Sequence, residues 1–428
     1  MHKSLTVFAV TTLMASSAFG AGFMVSEHTA ESAGQAGVVS SRINNASAVY
    51  YNTAGLSLAK GTQYYIAASA IIGSSSSTET IDGASVLTET DNPMAVLPSL
   101  FASYQIDDVY TVGIGIFNPF GSTLAWPEAA TDGSSNPQRG LIRDLSLKTP
   151  TLALAGAMNM GESIEGLSLG ASLDVVMGSV YFGRDLVFGG DAATLSLGGK
   201  TVALGGRIGM QYTSPDIDGA TFGATVRLPV TLNVKGQMDI DQGEDGSTID
   251  YRSALPPDGD ISGSITLPLG AEFCVGSQWT EDLHVGFALS YTHWESYSEL
   301  AFVLPDGSTS ASPKDWHNAY AVRIGAEYDL DGMVARAGYM NDMSPVPAET
   351  LDATLAGMDR HYVTAGMGMG IGDMDVHFSV FYKLPMGSRA AGTTYTYSPP
   401  HKAEYSLDIF MASLAVSYRA DGGEEAAE

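Results

Sequence analysis

Residues 283–293 run Leu283-His284-Val285-Gly286-Phe287-Ala288-Leu289-Ser290-Tyr291-Thr292-His293. Leu283, Val285, Phe287, Leu289 and Tyr291 fall on one parity, and His284, Gly286, Ala288, Ser290 and Thr292 on the other. Successive side chains of a β-strand project to opposite faces, so the stretch predicts a strand with one apolar and one polar face. The rhythm returns in Tyr320–Leu330, where Tyr320, Val322, Ile324, Ala326, Tyr328 and Leu330 oppose Arg323, Gly325, Glu327 and Asp329. It returns again in Phe222–Lys235, where Phe222, Ala224, Val226, Leu228, Val230, Leu232 and Val234 oppose Thr225, Arg227, Thr231, Asn233 and Lys235.

Fourteen segments read this way, near residues 63–73, 96–106, 109–117, 149–159, 166–185, 200–212, 220–238, 261–277, 282–300, 318–329, 333–340, 361–370, 374–385 and 405–418. Alternation alone would also fit a soluble sandwich. The connections separate the two cases. Asp107-Asp108, Met160–Glu165, Thr213–Gly219, Gln278–Glu281, Asp331-Gly332 and Ile371–Asp373 are short, whereas 118–148, 239–260, 301–317, 341–360 and 386–404 are long and rich in Gly, Ser, Pro and Asp. Short turns alternating with long loops, on an even number of strands, mark an all-β, 14-stranded antiparallel transmembrane β-barrel, here over residues 63–418.

Bulk properties agree. The 428 residues are 45% hydrophobic and 16% charged, yet no mature segment approaches the roughly 18 uninterrupted apolar residues of a spanning helix. A chain of this kind crosses a membrane only as a closed barrel. Lys3, the apolar Leu5–Met14 and the small residues Ala15–Gly20 have the layout of a secretory signal peptide over 1–20, which places the mature chain in the outer membrane of a Gram-negative cell. A formal net charge of -27 argues against a nucleic-acid partner. Cys274 is the only cysteine, which excludes an internal disulfide, and its parity makes it a small lumen-side filler. His284, His293 and His317 are dispersed without ligand spacing, so neither a metal nor a cofactor is expected.

In a barrel the apolar parity meets lipid and the polar parity lines the lumen. Arg207, Arg227, Lys235, Arg323, Arg336 and Lys383 fall on the lumenal parity, where Glu272, Glu327 and similar carboxylates can pair with them or leave them to guide an anionic ligand. Residues 21–62 do not alternate and carry the small-residue runs Ala33-Gly34-Gln35-Ala36-Gly37 and Asn44-Asn45-Ala46-Ser47. They read as an N-terminal hatch able to plug a lumen that would otherwise leak. The acidic residues 419–428 read as a tail beyond the last strand.

Several stretches together resemble the FadL family of outer-membrane long-chain fatty acid transporters, whose relatives also take up aromatic hydrocarbons. Ala21-Gly22-Phe23 looks like that family's mature N-terminus, and Tyr50-Tyr51-Asn52-Thr53-Ala54-Gly55-Leu56 resembles its Asn-Pro-Ala hatch motif with Thr53 in the Pro place. Asn118-Pro119-Phe120-Gly121 follows at the end of the third strand. Then come Tyr291-Thr292-His293-Trp294, Asp315-Trp316-His317-Asn318-Ala319-Tyr320, Arg336-Ala337-Gly338-Tyr339, Ser344-Pro345-Val346-Pro347 and Asp359-Arg360-His361-Tyr362. Each motif is weak, but the ordered set is specific and spans the mature chain.

The resemblance implies a passive carrier of hydrophobic molecules, with an extracellular groove, a lumenal site and a sideways exit into the bilayer. It implies that Phe23 touches the lumenal ligand, that Arg184 or Lys314 meets a fatty acid carboxylate, that Asn118, Pro119, Phe120 and Gly121 form a lateral-opening kink, and that Asn52, Thr53 and Ala54 form the hatch motif. The implied partners are the hydrophobic ligand and outer-membrane lipid, with the protein a monomer. Two other classes compete. A barrel-scaffold hydrolase would need a nucleophile or acid-base set, and His293, His317 and His361 stand in no ordered catalytic motif. A general porin would need an open lumen, which the 21–62 segment opposes.

Overall fold

The computed structural model describes residues 22–91, 94–188, 191–241, 257–392 and 402–420. The expected signal peptide (1–20), Ala21 and the tail beyond residue 420 lie outside the described residues. Among the described residues, fourteen staves form one antiparallel barrel. They are β1 (Thr62–Ile81), β2 (Ala95–Gln105), β3 (Tyr110–Phe117), β4 (Thr151–Asn159), β5 (Leu167–Phe188), β6 (Asp191–Thr213) and β7 (Thr221–Arg227, then Val230–Asp241). The remainder are β8 (Gly259–Leu267, then Gly270–Gln278), β9 (Leu283–Thr292), β10 (Ala319–Asp329), β11 (Met333–Asp342), β12 (Arg360–Ile371), β13 (Met374–Lys383) and β14 (Ala403–Arg419). The barrel closes where β1 pairs with β14 from Gln63↔Arg419 to Glu79↔Ala403, so the first and last staves cover each other's edge. No helix of the described residues is long and apolar enough to cross a membrane.

The expected strands differ from the observed ones mainly at the loop end. β1 runs on to Ile81, and β5 and β6 form a ribbon paired as far as Phe188↔Asp191 where a loop over 186–199 was expected. The ninth strand was expected to reach residue 300 but ends at Thr292, where a short 3-10 turn, Trp294–Ser296, carries Trp294 into the interior. Short strands, Gly121–Ala125 with Asp144–Lys148 and Glu299–Val303 with Thr309–Pro313, extend the wall where loops were expected. Asp144–Lys148 and Glu299–Val303 share one property with the upper halves of β7 and β8, namely apolar residues facing inward, here Leu145, Leu147, Leu300 and Phe302.

That inversion corrects the parity argument. Between Arg227↔Arg207 and Lys235↔Lys200, β7 advances eight residues while β6 retreats seven, so one extra residue is accommodated as a bulge. Pro229 sits there and has no N–H to give to a ladder. Below the bulge Val226 and Leu228 face outward, whereas above it Val230, Leu232 and Val234 are buried inside. Lys235, expected in the lumen, is therefore on the exposed outer face. The neighbouring break in β8 at Pro268-Leu269 does the same, with Phe273 outward below it and Ile265 and Leu267 inward above it. A wall standing in lipid needs apolar residues outside; one standing in water around an apolar ligand needs them inside.

The lower lumen is polar. Arg207 pairs with Asp174 at 2.7 Å, Arg323 with Glu272 at 2.7 Å and Arg336 with Glu327 at 2.7 Å. Against this layer packs the segment before β1. Ser40 donates to Glu272, Arg42 pairs with Glu327, Ser57 donates to Ser168 at 2.6 Å and Thr364 donates to Gly34 O at 2.9 Å. Close approach depends on missing side chains in the wall: a Cβ at Gly209 would collide with Asn52 Oδ1, and one at Gly170 with the Thr53 carbonyl carbon.

Candidate functional site

The apolar inner face of the upper wall encloses a cavity of about 460 Å³. Leu141, Ile142, Phe182, Leu186, Leu300 and Phe302 are among its lining, drawn from the turn that leads into Asp144–Lys148, from β5 and from the strand Glu299–Val303. Lys314 and Thr354 lie at its inner end and also line a smaller cavity of about 40 Å³, which reaches down to Phe23. Phe182 and Leu300 are shared by both, so the two adjoin.

All three residues expected to touch ligand line these cavities. Arg184 is exposed within the outer cavity and makes no ion pair among the described residues. Lys314 is 3% exposed, and its Nζ lies 2.6 Å from Asp352 Oδ2 and 3.5 Å from Thr354 Oγ1. Burial disfavours its ammonium form, but the charges of Asp352 and Tyr297 outweigh that and hold its pKa above the ordinary lysine value. Burial likewise opposes the Asp352 carboxylate, yet Lys314, with hydrogen bonds from it and from Thr354, leaves the pKa of Asp352 below its ordinary value.

Phe23 is buried among aromatic rings. Its centroid lies 4.6 Å from Trp294, 5.5 Å from Tyr297, 5.7 Å from Trp316 and 6.0 Å from Phe120, mostly edge to face. Trp294, Tyr297, Trp316 and Asp352 were not singled out from the sequence as site residues. The tryptophans lie inside the ordered motifs that carried the resemblance, but nothing in a linear pattern says that two loops and the N-terminus meet.

Asn118, Pro119, Phe120 and Gly121 lie where the wall changes course. β3 pairs with β2 only as far as Leu100↔Ile116, while β2 stays paired with β1 up to Ala95↔Ile71. Beyond the turn, Gly121–Ala125 pairs with Asp144–Lys148 and no longer with β2. Residues 95–99 of β2 thus lack a partner on that side, and Asp91 N–H donating to Ala125 O at 2.9 Å closes the ladder gap above. The turn is held from within: Asn118 Oδ1 accepts from Thr149 N–H at 2.8 Å, Val25 N–H donates to Pro119 O and Gly121 N–H to Phe23 O, both at 2.9 Å. The N-terminus therefore pairs with the bent stretch in place of β2.

Asn52, Thr53 and Ala54 lie at the opposite, lower end and do not meet the cavities. Asn52 Oδ1 accepts from Ala54 N–H at 3.2 Å and starts the 3-10 turn Thr53–Leu58, so a side-chain hydrogen bond stiffens the turn where the family motif has Pro. Asn52 Nδ2 donates to Ser40 O at 2.6 Å and to Met210 O at 2.9 Å, which ties the segment to β6.

With this geometry in view, the comparisons decide the family. The family described as outer membrane protein transport protein (OMPP1/FadL/TodX) matches residues 11–419. The chain belongs to the FadL family. It is 24% identical over 406 residues to the long-chain fatty acid transport protein of Salmonella typhi, covering 85% of this chain and 87% of that one. Its fold is similar to the crystal structure of a Pseudomonas aeruginosa FadL homologue (TM-score 0.81, 17% identity, 93% of this chain and 100% of that one). It is also similar to that of the P. putida toluene transporter TodX (TM-score 0.71, 21% identity, 92% and 99%). As a FadL-family protein, the chain is an outer-membrane β-barrel transporter of hydrophobic compounds and not an enzyme. The hydrolase alternative is set aside on that ground.

Proposed function

We propose that this chain takes up long-chain fatty acids by diffusion, through the outer cavity, the inner pocket at Phe23 and the interrupted β2–β3 ladder into the bilayer. The observation that carries the reading is an apolar cavity with Arg184 open at its side and Lys314 at its inner end. An acyl chain gains burial along the first, and a carboxylate gains charge-assisted hydrogen bonds from the second. The segment before β1 acts as the hatch: its Phe23–Val25 stretch holds the bent wall by two backbone bonds, so a shift there frees the exit. One closed barrel contains the whole route, and the working unit is a monomer with bilayer lipid as its surroundings.

Monoaromatic hydrocarbons are the second reading. Asp352 already neutralises Lys314, and the inner pocket is walled by Phe23, Tyr297 and Trp316. Binding of labelled oleate to the detergent-solubilised protein, competed by toluene and by a neutral alkane, separates the two. Saturable oleate binding that weakens on Arg184→Ala or Lys314→Ala supports the fatty acid. Toluene binding without oleate binding transfers the substrate to hydrocarbons.

A further inference from the structure

We propose a second lateral opening between β6 and β7, through which hydrophobic molecules exchange between the inner pocket and the outer leaflet; it rests on the transport reading above. The β6–β7 ladder lapses between Arg207↔Arg227 and Lys200↔Lys235, with Leu228 N–H reaching Gly206 O at 2.9 Å at its lower edge. The lapse is comparable in length to the one between β2 and β3, and an X-Pro step lies inside it as well.

The β6 side of its outer rim is apolar, whereas β7 turns Thr231 and Asn233 outward above Leu228, so the lapse lies at the upper boundary of the lipid. On the unpaired stretch of β6, Val202 and Leu204 are 69% and 66% exposed, and Ile208 and Met210 continue the apolar outer face below. No charged residue occurs in 201–206 or 228–234, the two runs that border the lapse. Lipid-level backbone without ladder partners is tolerated only where protein or a cavity covers it.

What covers it is side chains. Val230 and Leu232 are buried behind the lapse and pack in one apolar cluster with Val180 and Ile265, which line the inner pocket. The wall in front of them is thin, because a Cβ at Gly205 would lie 2.5 Å from Val230 Cγ2 and one at Gly178 would lie 3.1 Å from Leu232 Cδ1. Side chains change rotamer on a much faster timescale than a paired strand opens. The lapse is also coupled to the N-terminal segment: the Arg227 guanidinium lies 4.6 Å over the Phe120 ring and 3.3 Å from Met24 Sδ. One shift of residues 23–25 would therefore act on both interruptions. The uncharged borders suit an acyl chain or a neutral hydrocarbon.

A disulfide staple tests this. Gly205→Cys with Val230→Cys, in a Cys274→Ala background, brings two Cβ atoms within bridging distance. Cells carrying the variant are assayed for uptake of labelled oleate, oxidised and then reduced, beside Ser99→Trp, which fills the unpaired stretch of β2. Flux through two exits in parallel adds, so with equal shares the oxidised staple is expected to lower uptake to about half, reductant to restore it, and staple plus Ser99→Trp to lower it to that of cells without the protein. Unchanged uptake in the oxidised staple, or complete loss with Ser99→Trp alone, overturns the second opening. Should Ser99→Trp fail to assemble, Leu232→Ala is expected to raise uptake, and no rise overturns the proposal. Oleate binding by purified protein is measured in parallel. Binding retained in every variant confines the effect to passage, whereas no binding before stapling overturns the transport reading itself.

Discussion

Asp352→Asn isolates the role of Lys314. The substitution keeps the shape of the side chain but removes the negative charge 2.6 Å from an ammonium group that is almost wholly buried. The Lys314 charge then has only neutral partners, the new amide included, and a ligand carboxylate becomes its available counter-charge. A hydrogen bond to a charged group contributes about 1.5–3 kcal/mol, so oleate is expected to bind roughly 10- to 100-fold more tightly. Toluene has no charge to exploit, and its affinity is expected to stay the same. Both are read from quenching of the Trp294 and Trp316 fluorescence, since those rings surround Phe23 at the pocket floor. An unchanged or weaker oleate affinity beside an unchanged toluene affinity would refute carboxylate recognition by Lys314 and leave Arg184 as the remaining cation of the cavity.

Cysteine labelling checks the inverted face of β7: a membrane-impermeant maleimide on whole cells is expected to react with Lys235→Cys and not with Leu232→Cys, and the opposite pattern would restore the uninterrupted alternation. Gly209→Val places a side chain on Asn52 and costs about 1–3 kcal/mol of overpacking strain, so the segment before β1 is expected to loosen and sugar leak into proteoliposomes to rise; equal leak would remove Gly209 from its seating. For the Lys314–Asp352 pair the two pKa directions set the pH window. Lys314 is raised, so its contribution is intact below the ordinary value of 10.5 and is lost as pH rises through the higher folded value; Asp352 is lowered, so its contribution is intact above 3.8 and is lost as pH falls through the lower folded value. Pocket tryptophan fluorescence is therefore expected to be flat between those two ordinary values, and a transition inside the window would mean that the pair is not held as described.

The staves were legible because their cause is local. Lipid on one side and a polar lumen on the other impose a period of two, and every stave that stands wholly in lipid obeys it. The lumenal pairs Arg323–Glu272 and Arg336–Glu327 follow from the same parity. The site was only half legible. Phe23 and Lys314 came from resemblance, while Trp294, Tyr297 and Asp352 become neighbours only when two loops and the N-terminus converge, and periodicity carries no information about convergence. The continuous alternation through Leu228–Lys235 misled for a definite reason: apolar residues on even positions look the same whether a strand continues or takes up one extra residue.

That ambiguity ties the site to the exits. An outer-membrane wall that is also to hold an apolar ligand above the lipid must turn its apolar face from outside to inside, and a strand can do so only by gaining or losing one residue of register. Each such step removes ladder bonds, and Pro is the residue that tolerates their absence. In this chain the steps at Pro119 and Pro229 stand on opposite sides of Phe120 and Arg227, which touch one another across the lumen. The inversion that builds the apolar cavity thus also removes ladder bonds from the wall beside it, and both proposed openings lie at such steps.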